Sequence, residues 1–232
     1  MLFLTLVAVA ISQTALAAQV KLGAPAEIAQ VDLAKLGGSV INQLAWSDDG
    51  RELYLQTSTL DKKGLPKDVR HFVVPADGGA LKKIATEPDY AIAYWVWKAG
   101  QTAPDDLAFK IDVSVDRHLQ SGSALPRSAP SGVSASTTVY SMILKGEVIG
   151  EWTDGAAVPG ATFGWGPKGT HLVAYADRSG RLVVMDSTGA TQKIEGTKDV
   201  LLPAWSNDAT RIAYLEGRGR GKYEVVTVAV SK

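Results

Sequence analysis

The strongest constraint on this chain is a phrase it uses twice. FVVPADGGALKKI (residues 72–84) and LVVMDSTGATQKI (residues 182–194) lie 110 residues apart. Each has an apolar start, a glycine at the same place (Gly79, Gly189) and a Lys-Ile end. Self-similarity over such an interval is the mark of tandem supersecondary units. Units of this kind cannot bury their apolar faces alone, so they must stack on one another.

A second motif has the same meaning. Trp46 sits in LAWSDDGRELYLQT, Trp165 in FGWGPKGTHLVAYAD and Trp205 in PAWSNDATRIAYLEG. Each reads as an apolar residue and Trp, a short polar turn, then an alternating apolar segment. Alternation signals a strand, and Asp-Gly or Lys-Gly between two strands signals a hairpin. YWVWKAGQTAPDDLAFKIDV is a weaker fourth copy with Trp97 in the key position. A third and a fourth segment follow each copy: RHFVVPA and ALKKIA, TVYSMILKG and EVIGEWTDG, RLVVMDS and TQKIEG. The expected unit is four short strands with no helix.

The tryptophans are 51, 68 and 40 residues apart, and about 40–45 residues per unit is the period of a propeller blade. The excess is read as loop. LDKKGLPKD extends the first unit. Residues 115–138, rich in Ser, Ala, Gly and Pro, extend the second. The fold class is therefore all-β: a β-propeller of four-stranded antiparallel blades at about residues 41–86, 90–154, 160–196 and 200–230.

With those motifs on the page, the chain resembles the WD-like propeller repeats of the TolB type. The resemblance is carried by LAWSDDG with FVVPADGG and by PAWSNDA, and spans residues 41–230 in four units. It departs at Asp48, where the repeat has Pro, and at Ala209, where it has Gly. The same repeats occur in propellers joined to prolyl-oligopeptidase-type serine peptidases. What the resemblance implies is a propeller fold, not TolB's partners.

A radial array of sheets leaves edges exposed unless its first and last units are tied. The last unit shows only three strands, LLPAWS, TRIAYLEG and KYEVVTVAV. AEIAQVDL (residues 26–33) is a spare strand, expected to pair as the outer strand of the last unit. That gives four blades in one chain, a monomer in preference to a ring shared by two chains. Trp46, Trp97, Trp165 and Trp205 are expected to wedge between blades, each indole N–H reaching a partner at the edge.

The N-terminus carries an address. Residues 2–11 are apolar, and Ala15-Leu16-Ala17 fits signal-peptidase cleavage after Ala17. Residues 1–17 are read as a signal peptide without the usual basic start, and residues 18–232 as one exported domain. No other stretch approaches membrane length. The 24 basic and 24 acidic residues cancel, so no global field draws the chain to nucleic acid. Cysteine is absent, which removes disulfides, thiol catalysis and thiolate metal sites.

The search for chemistry is mostly negative. GVSAS (residues 132–136) lacks the second glycine and the strand-to-helix setting of a nucleophile elbow. His71, His118 and His171 have no metal-ligand spacing. Asp48, Asp49, Asp105, Asp106 and Asp208 fit turn positions, where the side chain bonds nearby backbone N–H groups. No cofactor or metal is expected. Trp95 and Trp152, outside the tryptophan register, and Arg218 and Arg220, in GRGRGK, are the weak candidates for partner contact.

These observations lead to a non-enzymatic, periplasmic or secreted scaffold that binds a protein or peptide in the bacterial envelope. Two alternatives stand beside it. One is a polysaccharide lyase- or hydrolase-like propeller with a channel site drawn from His71, His171, Arg70 and Arg211. The other is a stand-alone relative of the propellers of serine peptidases.

Overall fold

The computed structural model describes residues 20–62, 65–99, 111–119, 136–144, 147–153, 163–177 and 179–231. The expected signal peptide, Asp105, Asp106 and most of GVSAS lie outside the described residues. The chain opens with β1 (Lys21–Leu22), β2 (Ala26–Asp32) and a single helical turn, α1 (Leu33–Leu36). Asp32 caps that turn, its carboxylate accepting from the Ala34 and Lys35 N–H groups, and Gly37 ends it at φ 70°.

A first antiparallel sheet follows: β3 (Val40–Trp46), β4 (Glu52–Leu60), β5 (Pro66–Pro75) and β6 (Lys82–Ile84), in that order. Then comes α2 (Asp89–Ala99) and a three-stranded sheet of β7 (Ile111–Leu119), β8 (Ser136–Leu144) and β9 (Glu147–Thr153). The third sheet is β10 (Phe163–Trp165), β11 (Leu172–Ala176), β12 (Leu182–Asp186) and β13 (Thr191–Lys193). The fourth holds β14 (Val200–Trp205), β15 (Arg211–Gly219) and β16 (Lys222–Ser231).

The spare segment takes the place set out for it. β2 pairs antiparallel with β16 from Lys222↔Asp32 to Thr227↔Ala26, and β1 covers the rest at Leu22↔Val230 and Lys21↔Ser231. Chain segments about 200 residues apart thus share one sheet. Its strand count is five, against the expected four, because β1 and β2 divide the same edge.

The second strand of the first, third and fourth sheets is buried on both faces: Leu53, Tyr54 and Leu55; Val173, Ala174 and Tyr175; Ile212, Ala213, Tyr214 and Leu215. Burial on both faces requires an element packed on either side. One core joins Ala204, Ala213, Leu215, Val225, Ala29 and Val31 of the fourth sheet to Leu44, Trp46, Leu53, Leu55, Phe72 and Val74 of the first. A second core joins Trp205, Ile212, Tyr214, Val226 and Val228, on the fourth sheet's other face, to Leu172, Ala174, Leu182 and Val184 of the third. The fourth sheet is therefore packed between the first and the third.

The tryptophans make these interfaces directional. Trp46 Nε1 donates to Ala204 O at 3.0 Å, and Trp205 Nε1 donates to Gly164 O at 3.1 Å. In both, the acceptor is the residue just before the neighbouring sheet's tryptophan. The sheets approach closely here: a Cβ added to Gly164 would lie 2.2 Å from Pro203 O. Arg211 strengthens the first–fourth junction, its guanidinium 4.3 Å from the Trp46 ring centroid and bonded to Gly50 O at 2.5 Å.

The turns after the tryptophans repeat as well. Ser47 Oγ donates to Asp49 and accepts from the Arg51 and Glu52 N–H groups. Ser206 Oγ donates to Asp208 and accepts from the Arg211 N–H. In the third unit Gly166 replaces the serine, and Thr170 Oγ1 fills the space, 2.5 Å from where a Cβ would sit. Gly50, Gly169 and Ala209 share the left-handed region at φ 66°, 79° and 59°. Ala209 adopts it despite its Cβ, which is disfavoured.

Several expectations need correction. Trp97 does not end a strand; it falls on α2. Pro88 and Asp89 favour a helix start there, and two alanines favour its continuation. The chain is accordingly not free of helix, and among the described residues the second sheet has three strands, not four. The long loop is narrower than residues 115–138: Val115 to Leu119 pair with residues 136–140. LDKKGLPKD is not all loop, since Leu60 pairs with Pro66 and Thr59 with Lys67. Finally, the two copies of the repeated phrase pair one residue out of step, Val73 with Lys82 but Val183 with Lys193.

Trp205→Phe keeps the aromatic bulk but strands the buried Gly164 carbonyl. It is expected to lower unfolding free energy by about 2 kcal/mol, read as a lower urea midpoint at unchanged slope. Ala209→Gly should act in reverse, raising stability by about 0.5–1 kcal/mol as backbone strain is released against greater unfolded-chain entropy.

Candidate functional site

The outer part of the first sheet contains a concavity. β5 is ten residues long, and β4 pairs with it from Pro66 to Pro75. On its other side β6 pairs only with His71, Phe72 and Val73. Where β6 ends, β5 continues as a ledge. A pocket of about 360 Å³ lies at that step, lined by Asp68, Val69, Arg70, His71, Lys83, Ile84 and Ala85.

Local chemistry shapes the ledge. Thr57 pairs with Arg70 and Thr59 with Lys67, so two residues of β5, Asp68 and Val69, oppose Ser58 alone. This β-bulge places Asp68 at φ 51°. Thr59 Oγ1 steadies it, donating to Asp68 Oδ2 and to Lys67 O, both at 3.0 Å. Arg70 donates to Gly37 O, tying the ledge to the end of α1. Lys67, Lys82 and Lys83 are exposed. The rim is thus basic, with Asp68 as the acidic side chain of the lining.

Behind the pocket runs a chain of polar side chains. Ser58 Oγ donates to Asn42 Oδ1, the Asn42 amide donates to Gln56 Oε1 at 3.2 Å, and Gln56 Nε2 donates to Tyr54 OH at 3.1 Å. Tyr54 OH lies 2.6 Å from His71 Nδ1, and the two rings stack with centroids 6.0 Å apart. Gln56 and His71 thus meet at the Tyr54 hydroxyl, which joins β4 to β5 through side chains. Burial, opposed by the Gln56 hydrogen bond, pushes the Tyr54 phenol up to about 12, so it stays protonated at neutral pH. α2 covers the inner end of this face: Ala91 packs on Ala45 and Tyr54, and its carbonyl accepts from Gln43 Nε2 at 2.7 Å.

The sequence candidates are not gathered into one place. Arg218 bridges Glu216, at 3.0 Å, and Glu224 across the β15–β16 pair, so its guanidinium is held within the sheet. Arg220 is exposed at the hairpin tip, at φ 51° between Gly219 and Gly221, both also at positive φ. Trp95 lies on α2 and Trp152 on β9; their side chains are outside the described residues, as is that of His118. The proposed channel set also divides. Arg70 and His71 line the pocket, Arg211 lies over Trp46, and His171 precedes β11. Asp49 and Asp208 do turn chemistry, accepting from the Arg51 and Thr210 N–H groups. Among the described residues no three His, Asp or Glu side chains group as metal ligands, and no helix is long and apolar enough to cross a membrane.

Sequence reasoning missed the ledge. The third and fourth segments of the first unit, RHFVVPA and ALKKIA, differ by one residue in length and gave no sign of it.

No protein-family profile matches the chain, and neither does any curated protein. Among solved structures it is similar to one described as the Dos1 propeller, at 11% identity and a TM-score of 0.22. The match covers 81% of this chain and 41% of that one, so the chain spans about two fifths of that structure's length. A likeness at that score carries no argument about function.

Tyr54→Phe removes the hydroxyl that joins Gln56 to His71. Both side chains lose a partner in a part-buried setting, so a loss of about 1–2 kcal/mol is expected, checked by urea unfolding monitored through tryptophan fluorescence.

Proposed function

We propose that this chain is an exported, non-enzymatic binding scaffold of the bacterial envelope, built as a four-bladed propeller of the TolB-like kind. The ring is latched by residues 26–32 against the last blade, and it takes a protein or peptide at the edge of its first blade. Support for the architecture is the repeated tryptophan-to-carbonyl bond, which runs in one sense across two successive interfaces. Support for export is the apolar leader ending in Ala15-Leu16-Ala17.

The observation that carries the binding role is the ledge of β5 with its pocket and basic rim. It sits on a sheet pinned by a buried core and by the Tyr54–His71 relay. A rigid frame that presents an irregular polar edge suits recognition. Enzymatic chemistry at a shared channel site would require these groups to converge, whereas Arg70 and His71 share the pocket lining, Arg211 lies over Trp46 and His171 precedes β11.

The reading is tested by cross-linking the tagged, exported protein in living cells and identifying what is attached after stringent washing. One or a few envelope proteins, confirmed by the reciprocal capture, are expected. Recovery no different from an unrelated secreted protein of the same size would overturn it.

A further inference from the structure

The long outer strands of this chain are treated in two ways. β16 is ten residues long, and its outer edge is covered almost throughout, by β2 at Lys222–Thr227 and by β1 at Val230 and Ser231. β5 has the same length, but β6 covers only three of its residues. Among the described residues nothing pairs with the outer edge of residues 66–70. An open strand edge presents unpaired backbone N–H and C=O groups, which template the addition of a further strand.

The edge is guarded against the commonest wrong partner, another copy of itself. Pro66 has no N–H to offer, Lys67 places a cation on the edge, and the Asp68–Val69 bulge breaks the flat ladder. Each of these discourages edge-to-edge self-pairing, and like charge between two copies opposes it further. None of them opposes an acidic strand. Lys83 and Arg70 line the pocket, and exposed Lys67 and Lys82 are their neighbours along β5 and β6. The acidic member of the lining, Asp68, already accepts from Thr59. The apolar contribution comes from Val69, 43% exposed, and half-buried Ile84, both in the pocket lining, with Leu65 beyond at 58% exposed.

Resting on the binding role proposed above, we infer that the ledge takes an extended acidic segment of a partner protein, which adds as a strand beside residues 67–70 where β6 stops. Backbone hydrogen bonds to β5 supply affinity that is indifferent to sequence. Selectivity comes from carboxylates opposite Lys67 and Lys83 and from one apolar side chain lodged against Val69 and Ile84.

The test uses the mature chain and a fluorescent peptide, acetyl-Glu-Val-Glu-Val-Glu-Val-amide, titrated by anisotropy at low salt. Saturable binding with a dissociation constant on the order of 10–100 μM is expected for so short a ladder. Methylating alternate backbone nitrogens of the peptide leaves its charge intact and should weaken binding at least tenfold. The exposed double variant Lys67→Glu, Lys83→Glu should do the same, and hydrogen exchange should slow within residues 67–70 on binding. Equal affinity for the methylated peptide means charge attraction without strand addition, and overturns the inference. So does the absence of saturable binding, or a peptide-independent dimer joined through β5. If cells yield a cross-linked partner while the peptide fails, this inference falls and the scaffold reading survives; the opposite pair of results spares the edge and removes the scaffold role.

Discussion

The structure depends on one contact made twice: an indole N–H reaching across a sheet interface to the carbonyl just before the next sheet's tryptophan. Each bond satisfies a buried carbonyl and sets the distance and tilt between two sheets. A large flat side chain alone would fill the same wedge in several orientations. The directed donor fixes one of them. The burial of β15 on both faces follows from sheets held face to face on either side of it.

That geometry leaves each sheet's outer strand as the place where the chain can vary. In the fourth sheet the outer edge is used internally, for β1 and β2, which join the two ends of the chain. A bond from Gly79 N to Ile28 O, at 3.0 Å, then connects this edge to the first sheet's last turn. A Cβ at the neighbouring Gly78 would lie 3.3 Å from the same oxygen, so the turn is drawn against β2. In the first sheet the edge stays open over the bulge. The same element of the repeat is therefore paired on its outer edge in the fourth sheet and, among the described residues, bare beyond β6 in the first.

Much of this was legible in residues 40–60, 163–186 and 200–231. There the tryptophan, the Ser-Asp or Gly-Thr turn and the alternating strand lie within a dozen residues, and local hydrogen bonds decide the conformation. The spare strand of residues 26–32 was legible by elimination, since the last unit lacked one. Trp97 was misread because resemblance to a repeat was given more weight than Pro88, Asp89 and the alanines that follow, which favour a helix. The ledge escaped notice for a different reason. Leu60, Leu65 and Pro66 look like loop residues when a hairpin is judged by its turn signals, but cross-strand pairing with β4 extends the strand through them.

The sequence by itself determined the repeating unit of the first, third and fourth sheets: which tryptophan ends which strand, which turns need a left-handed residue, and which segment was left over to join the last sheet. These properties are set by neighbours within a few positions, or by simple counting of strands. The tertiary structure decided which way each indole points, the one-residue offset between the two copies of the repeated phrase, and the bare edge beside Asp68 and Val69. Those outcomes depend on registers and packing between segments far apart in the chain, where a shift of one residue turns a side chain to the opposite face.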